Sequence, residues 1–268
     1  MQARIVAAAR GARWLADGWQ LFRVAPLSWL ALVFAYWLLM TLASLLPVVG
    51  VVVASVLVPP FAVGFMAAAR AAERGGAIEL GLLFDGFRHS LPSQLALGVA
   101  YLACLGLVLG ATALADDGAL MRWMLAGKRP DETVLRSEEF LAALGCAAAL
   151  YLPVMMMFWF APPLAAWHSS GAAKALFFSF FACLMNWRAF LAYAAVTAAL
   201  TLLAPFVALS ALMLASGGAL RAPVMSLVFP LLIVLLPTLF ASFYASYRDV
   251  FGKEAKAGTE AKAGTKAS

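Results

Sequence analysis

Six long apolar runs decide what this chain can fold into. They cover 27–46, 48–69, 92–114, 140–166, 189–215 and 223–246, and no Asp, Glu, Lys or Arg interrupts them. About 20 consecutive apolar residues make a helix long enough to cross the hydrocarbon core of a bilayer. In that core the backbone must satisfy its own hydrogen bonds, which a helix does within one segment. The expected fold class is therefore all-α, a polytopic membrane protein of six transmembrane helices arranged as three hairpins with cytoplasmic interfacial helices. Composition agrees: of 268 residues, 65% are hydrophobic and 12% charged, where a soluble domain carries about a quarter charged residues.

The first run is preceded by 26 residues carrying Arg4, Arg10, Arg13 and Arg23. It is longer than the roughly 7–15 residues of a signal-peptide core and no cleavage site follows, so it is expected to stay in the membrane. The segment 1–26 is basic and amphipathic, and Trp14, Trp19, Phe22 and, just beyond it, Trp29 are spaced to sit at headgroup level. It reads as an interfacial helix ahead of a six-span domain at 27–247. The tail 248–268 nearly repeats EAKAGT in the small, charged stretch KEAKAGTEAKAGTKAS, which cannot bury a face, and is expected to be disordered and cytoplasmic.

Charge orients the spans. With six crossings both termini share one side, which takes 14 of the 19 Lys and Arg residues and leaves 5 for the other. The positive-inside rule then places both termini in the cytoplasm. The loop 115–139 becomes external and nearly charge-balanced. The net charge of +6 reads as topology signal and lipid-headgroup contact; no nucleic-acid motif accompanies it. Membrane lipids are the expected partners, beside a candidate membrane-protein partner, and the oligomeric state stays open.

Proline punctuates the runs in a repeated way. Pro59 and Pro60, then Pro162 and Pro163, fall late in the second and fourth runs, and Pro237 late in the sixth. Each proline removes a donor and clashes with the carbonyl four residues back, so the carbonyls near Ser55–Val56 and Phe158–Trp159 lose their usual partners. In hydrocarbon such groups are tolerated where neighbouring helices, hydroxyls or water meet them. Two readings follow: structural kinks, or the broken-helix binding site that some transporters use. A helix-like stretch follows each of the first two pairs, GAIELGLLFDGFRHSL at 76–91 and GAAKALFFSFFACLMN at 171–186. In the first, Leu80, Leu83, Phe84, Phe87 and Leu91 form an apolar stripe. In the second, Ala175, Ser179, Ala182 and Asn186 are spaced 4, 3 and 4 apart, a small-residue face suited to close helix contact.

Chemistry-bearing residues are sparse. No Asp, Glu, Lys, Arg or His lies within a run, which disfavours proton-coupled transport. HExxH, GxSxG, Walker and dinucleotide-binding patterns are absent from the sequence. His89 and His168 have no second metal ligand at helical spacing, and Cys104, Cys146 and Cys183 form no CxxC. The expectation is no catalytic residue, no metal and no cofactor. Trp167, His168, Lys174, Asn186 and Arg188, at the predicted cytoplasmic boundary, are candidates for an interface or a lipid contact.

The stretch FWFAPPLAAWH, with KALFFSFFAC and NWRAF after it, resembles an uncharacterised family of bacterial inner-membrane proteins described as six-span. The resemblance extends to GWQLFRVAPLSW, LVPPFAVGFMAAARAAERG and LFDGFR. It implies the fold and a bacterial inner-membrane location, but no activity. The expected role is a non-enzymatic scaffold or regulator of the cell envelope; the alternative is a facilitator or lipid-handling transporter.

Overall fold

The computed structural model describes residues 2–45, 49–215 and 228–252. The described residues are almost entirely helical and contain no strand. Among the described residues four helices are long and apolar enough to cross a membrane: Pro26–Ser44, Val52–Glu73, Leu91–Asp116 and Glu138–Trp167. A fifth is added if Ala172–Met185 and Trp187–Leu203, bent by 79° at their junction, count as one span. The chain is an all-α polytopic membrane protein. Residues 223–227 of the sixth run lie outside the described residues.

The chain divides into two compact units. The first combines residues 1–41, 61–88 and 182–268. Its centre is helix α1 (Ala8–Val24), packed against α11 (Trp187–Ala198) and α13 (Val228–Phe251). Glycines set that approach. A Cβ on Gly11 would overlap the Ala189 carbonyl, and one on Gly18 would lie 2.5 Å from the Thr238 oxygen. Trp14, fully buried, fills the same seam, with ring centroids 5.2 Å from Phe190 and 5.8 Å from Tyr193. Helices α2 (Pro26–Ser44) and α3 (Val49–Glu73) join through Tyr36, which meets Phe61 and Phe65 edge-on. Phe65 stacks on Phe240 of α13 at 4.1 Å.

Two expectations are corrected here. Trp14, Phe22 and Trp29 are buried in the protein and only Trp19 of the four aromatics is exposed. The Gly11–Trp14–Gly18 face of α1 packs against two helices, which uses these rings as core. The tail also begins later than 248. Helix α13 continues to Phe251, because Val250 and Phe251 are buried and Arg248 and Asp249 are paired. The remaining tail, 253–268, lies outside the described residues.

The second unit combines 42–60 with 89–181. Helices α5 (Leu91–Asp116) and α8 (Glu138–Trp159) pair along their length, joined midway by the Tyr101 and Tyr151 hydroxyls 3.0 Å apart. Beyond α5, Asp117 and Gly118 take left-handed conformations, φ 50° and 76°. They turn the chain into α6 (Ala119–Ala126), whose first amides are met by Asp116: Gly118 N–H at 3.0 Å and Leu120 N–H at 2.7 Å. Leu120 and Ala119 pack on Phe140. After the short α7 (Glu132–Leu135), Ser137 caps α8 by accepting the Phe140 N–H at 3.2 Å, and Glu138 and Glu139 sit favourably in the first turn.

The stretch after the first proline pair differs from its expected form. Leu80–Phe84 is a 3-10 turn and only Asp85–Arg88, α4, is α-helical. The tighter pitch rotates the expected stripe: Leu83 is buried, while Leu80 and Phe84 are exposed. The turn lies against α3, where a Cβ on Gly64 would overlap the Leu83 carbonyl. After the second pair, α9 (Ala161–Trp167) leads to α10 (Ala172–Met185). There Ala175, Ser179, Ala182 and Asn186 are all buried while Phe177, Phe181 and Leu184 are exposed. The 4-3-4 spacing thus marks a packed face. From Trp187 the chain stays helical to Ala215 through a π segment at Ala199–Leu203 and α12 (Ala204–Ala215).

Candidate functional site

The two proline pairs are handled differently. Pro59 and Pro60 are buried inside α3, which remains an unbroken helix. Pro60 cannot donate to the Val56 carbonyl, four residues back. That carbonyl faces Gly98 of α5, so closely that a Cβ on Gly98 would overlap it. A bare glycine Cα–H is a weak donor that recurs at helix contacts, and it lets α5 cover a carbonyl with no helical partner.

The helix does break at the second pair. Regular geometry stops at Trp159 and resumes at Ala161, so Pro162 falls in the first turn of α9, where no N–H is needed. The break is held by Ser179 of α10. Its Oγ accepts the Phe160 N–H at 2.9 Å and donates to the Met156 carbonyl at 2.7 Å. Those two backbone groups are i and i−4, which bond each other in a regular helix. A side chain inserted into that ladder is an identifiable cause of a kink. Gln94, on the face of α5 that also carries Gly98, donates Nε2 to the Pro162 carbonyl at 2.9 Å. Gln94 is fully buried and its Oε1 has no partner. One face of α5 therefore serves both proline sites. Pro237, buried in α13, interrupts no helix; the neighbouring Thr238 hydroxyl donates to the Val234 carbonyl at 2.9 Å.

The residues expected at an interface separate into two kinds. Asn186, at the bend between α10 and α11, is buried and turned inward. Its Oδ1 accepts the Val6 N–H at 2.8 Å, and its Nδ2 donates to the carbonyls of Arg4 and Ala182, both at 2.9 Å. It clamps the N-terminal segment, which also bonds Val250 through the Arg4 N–H at 3.0 Å. Lys174 and Arg188 are exposed, each over an aromatic ring: Lys174 is 6.0 Å from Phe178 and Arg188 is 5.4 Å from Trp187. Trp167 and His168, half-buried, end α9.

Sequence reasoning missed an ion-pair cluster in the first unit. Asp249 accepts from Arg10 Nε at 2.7 Å and from Trp14 Nε1 at 3.0 Å. Asp17 bridges Arg10 at 3.0 Å and Arg248 at 2.7 Å. Glu73, at the end of α3, holds Arg248 at 2.5 Å and the Tyr244 hydroxyl at 2.6 Å. Burial lowers the pKa values of Arg10 and Arg248, but the facing carboxylates more than offset it and both stay raised. Two guanidinium groups and three carboxylates thus tie α1, α3 and α13 together beside a cavity of about 450 Å³. Sequence separations up to 239 residues hide such pairs. Among the described residues no group of three or more His, Cys, Asp and Glu is arranged to hold a metal ion.

No family model matches the chain, and no solved structure does. A probable inner membrane protein of Burkholderia thailandensis is 42% identical over 258 residues, covering 94% of each chain. At that identity and coverage, this chain belongs to the family of that probable inner membrane protein.

Proposed function

We propose that the chain is a non-enzymatic protein of the bacterial inner membrane that scaffolds or regulates an envelope partner, with six spans and both termini in the cytoplasm. The observation that carries this reading is how the polar side chains in and between the runs are used. Ser179, Gln94, Tyr101 and Tyr151 join helices of one unit, and Tyr193 pairs with Ser242 at 2.7 Å in the other. They hold the bundle together, leaving mostly apolar helix surface to face outward, the surface a membrane partner packs against. The cluster around Arg248 gives α1 and α13 a fixed attachment to α3.

The test is reconstitution into liposomes, following small polar solutes and labelled phospholipids. The expected result is movement at the protein-free rate. Movement above it that is lost in Gln94→Leu supports the alternative, a facilitator or lipid-handling transporter. The observation favouring that alternative is the broken helix at Phe160 beside the unpartnered Oε1 of Gln94. Topology is tested by reporter fusions: 125 external, and 80, 175 and 260 internal. An internal signal at 125 overturns the orientation.

A further inference from the structure

We propose that the segment 118–130 is docked on the phospholipid surface, with α6 dipping into the leaflet on its own side of the membrane. The inference rests on α5 and α8 as crossing helices and does not depend on which side is external.

The excursion between α5 and α8 divides by charge. Residues 118–130, GALMRWMLAGKRP, carry Arg122, Lys128 and Arg129 and no acid; residues 131–139, DETVLRSEE, carry four acids and one arginine. The basic half is also the amphipathic half. Ala119 and Leu120 are buried and Trp123 packs on the Phe140 core, while Met124 and Leu125 are 66% and 69% exposed. Isolated exposed apolar residues need no explanation. These two form an adjacent pair on a short helix folded back against the ends of two spans. The adjoining ends of those spans are apolar and exposed as well: Leu114 near the end of α5 and Leu141 near the start of α8 are 91% and 56% exposed.

Exposed apolar residues on an amphipathic helix at the end of a crossing helix, with exposed cations beside them, are the arrangement of an interfacial helix. Arg122, Lys128 and Arg129 are all exposed and stand where they can meet headgroup phosphates. Asp116 fixes the start of α6 and the Arg122 guanidinium donates to the Asp117 carbonyl at 2.7 Å. The helix is therefore held at the end of α5 by the chain's own bonds. Arg122, Lys128 and Arg129 also border an open cavity of about 710 Å³ whose lining includes Asp116, Asp117, Asp131 and Glu139.

The experiment places a photoreactive benzoylphenylalanine, one at a time, at Met124, Leu125, Leu107 and Thr133 in the full chain. The vesicles are phosphatidylcholine containing phosphatidylglycerol, and adducts are identified by mass. Leu107, 74% exposed in the middle of α5, reports the bilayer itself. The expected result is phospholipid adducts at 107, 124 and 125 and none at 133. Combined Arg122→Gln, Lys128→Gln and Arg129→Gln should lower the adduct at 125 severalfold and leave that at 107 unchanged. Absence of lipid adducts at 124 and 125 with a normal yield at 107 overturns the proposal. So does an adduct to a second copy of the chain at 124 or 125, or a yield at 125 indifferent to the three cations. Failure at 107 faults the placement of α5 in the membrane instead.

Discussion

Pro60 in α3 and Pro162 in α9 start from the same deficit, a proline inside a long apolar segment, and reach opposite outcomes. The first leaves its helix unbroken because α5 presents Gly98 to the Val56 carbonyl, and a glycine lets one backbone rest on another. The second sits just after a break at Phe160, where Ser179 supplies both a donor and an acceptor to groups that bond each other in a regular helix. The difference lies in the neighbour. A bare backbone covers an orphan carbonyl in place, whereas a hydroxyl can replace a helical hydrogen bond and so stabilise a separated turn. The effect of a local defect in a membrane helix is set by the surface packed against it.

That comparison predicts the sharpest loss at Gly98. Gly98→Leu forces α5 off the Val56 carbonyl, which backbone cannot yield to, and should cost about 3 kcal/mol, the upper end of overpacking penalties. Ser179→Leu follows at about 2 kcal/mol, since a larger side chain crowds a buried face but meets no backbone as close as the Val56 carbonyl is to Gly98. Thermal unfolding of purified variants in detergent checks both. A reversed order would mean that the second junction is the tighter of the two. Phe178→Leu, on a half-buried ring, should be milder than either.

The sequence carried the spans and one packed face but not the partners. Apolar runs are read directly, because hydrocarbon demands about 20 such residues whatever surrounds them. The Ala175–Ser179–Ala182–Asn186 face was legible because small residues at helical spacing are informative by themselves. What Ser179 bonds to was not, since a serine suits a solvated face, a cap or an inserted bridge equally well. Trp14 and Trp29 misled for a similar reason: tryptophan belongs both at interfaces and in cores. The useful signal was Gly11 and Gly18, two turns apart on the Trp14 face of α1, which mark close helix contact. The cluster of Arg10, Asp17, Glu73, Arg248 and Asp249 had no local signature, and the tail's composition pulled its first residues into a region read as disordered.

Gln94 sharpens the comparison further, because it reaches the second junction from the face that serves the first. Gln94→Leu removes the donor to the Pro162 carbonyl and with it the buried Oε1 that has no partner. An unmet carbonyl costs about 1–3 kcal/mol, and removing an unpaired buried oxygen offsets part of that. The expected net loss is about 1 kcal/mol in detergent unfolding. A gain in stability would mean that the unpartnered oxygen outweighs the bond, and that Gln94 is retained for something other than folding.

The smallest effect should come from Ser179→Ala. It deletes the hydroxyl that both groups at the break use, yet those groups, Phe160 N–H and Met156 C=O, are each other's partners in a regular helix. Once the hydroxyl is gone they can close directly, and Pro162 does not oppose this because its missing N–H falls in the first turn of α9. Stability should then fall by about 0.6 kcal/mol, the usual worth of a polar contact in a membrane bundle. Ser179→Ala is thus far milder than Ser179→Leu at the same position. The alternative outcome is equally specific. If the prolines hold the turn open, removal of the hydroxyl strands a buried donor and a buried acceptor together, and the loss rises to about 2 kcal/mol or more. Unfolding of Ser179→Ala beside Ser179→Thr, which keeps the hydroxyl, distinguishes a bridge the helix can do without from one that the proline pair requires.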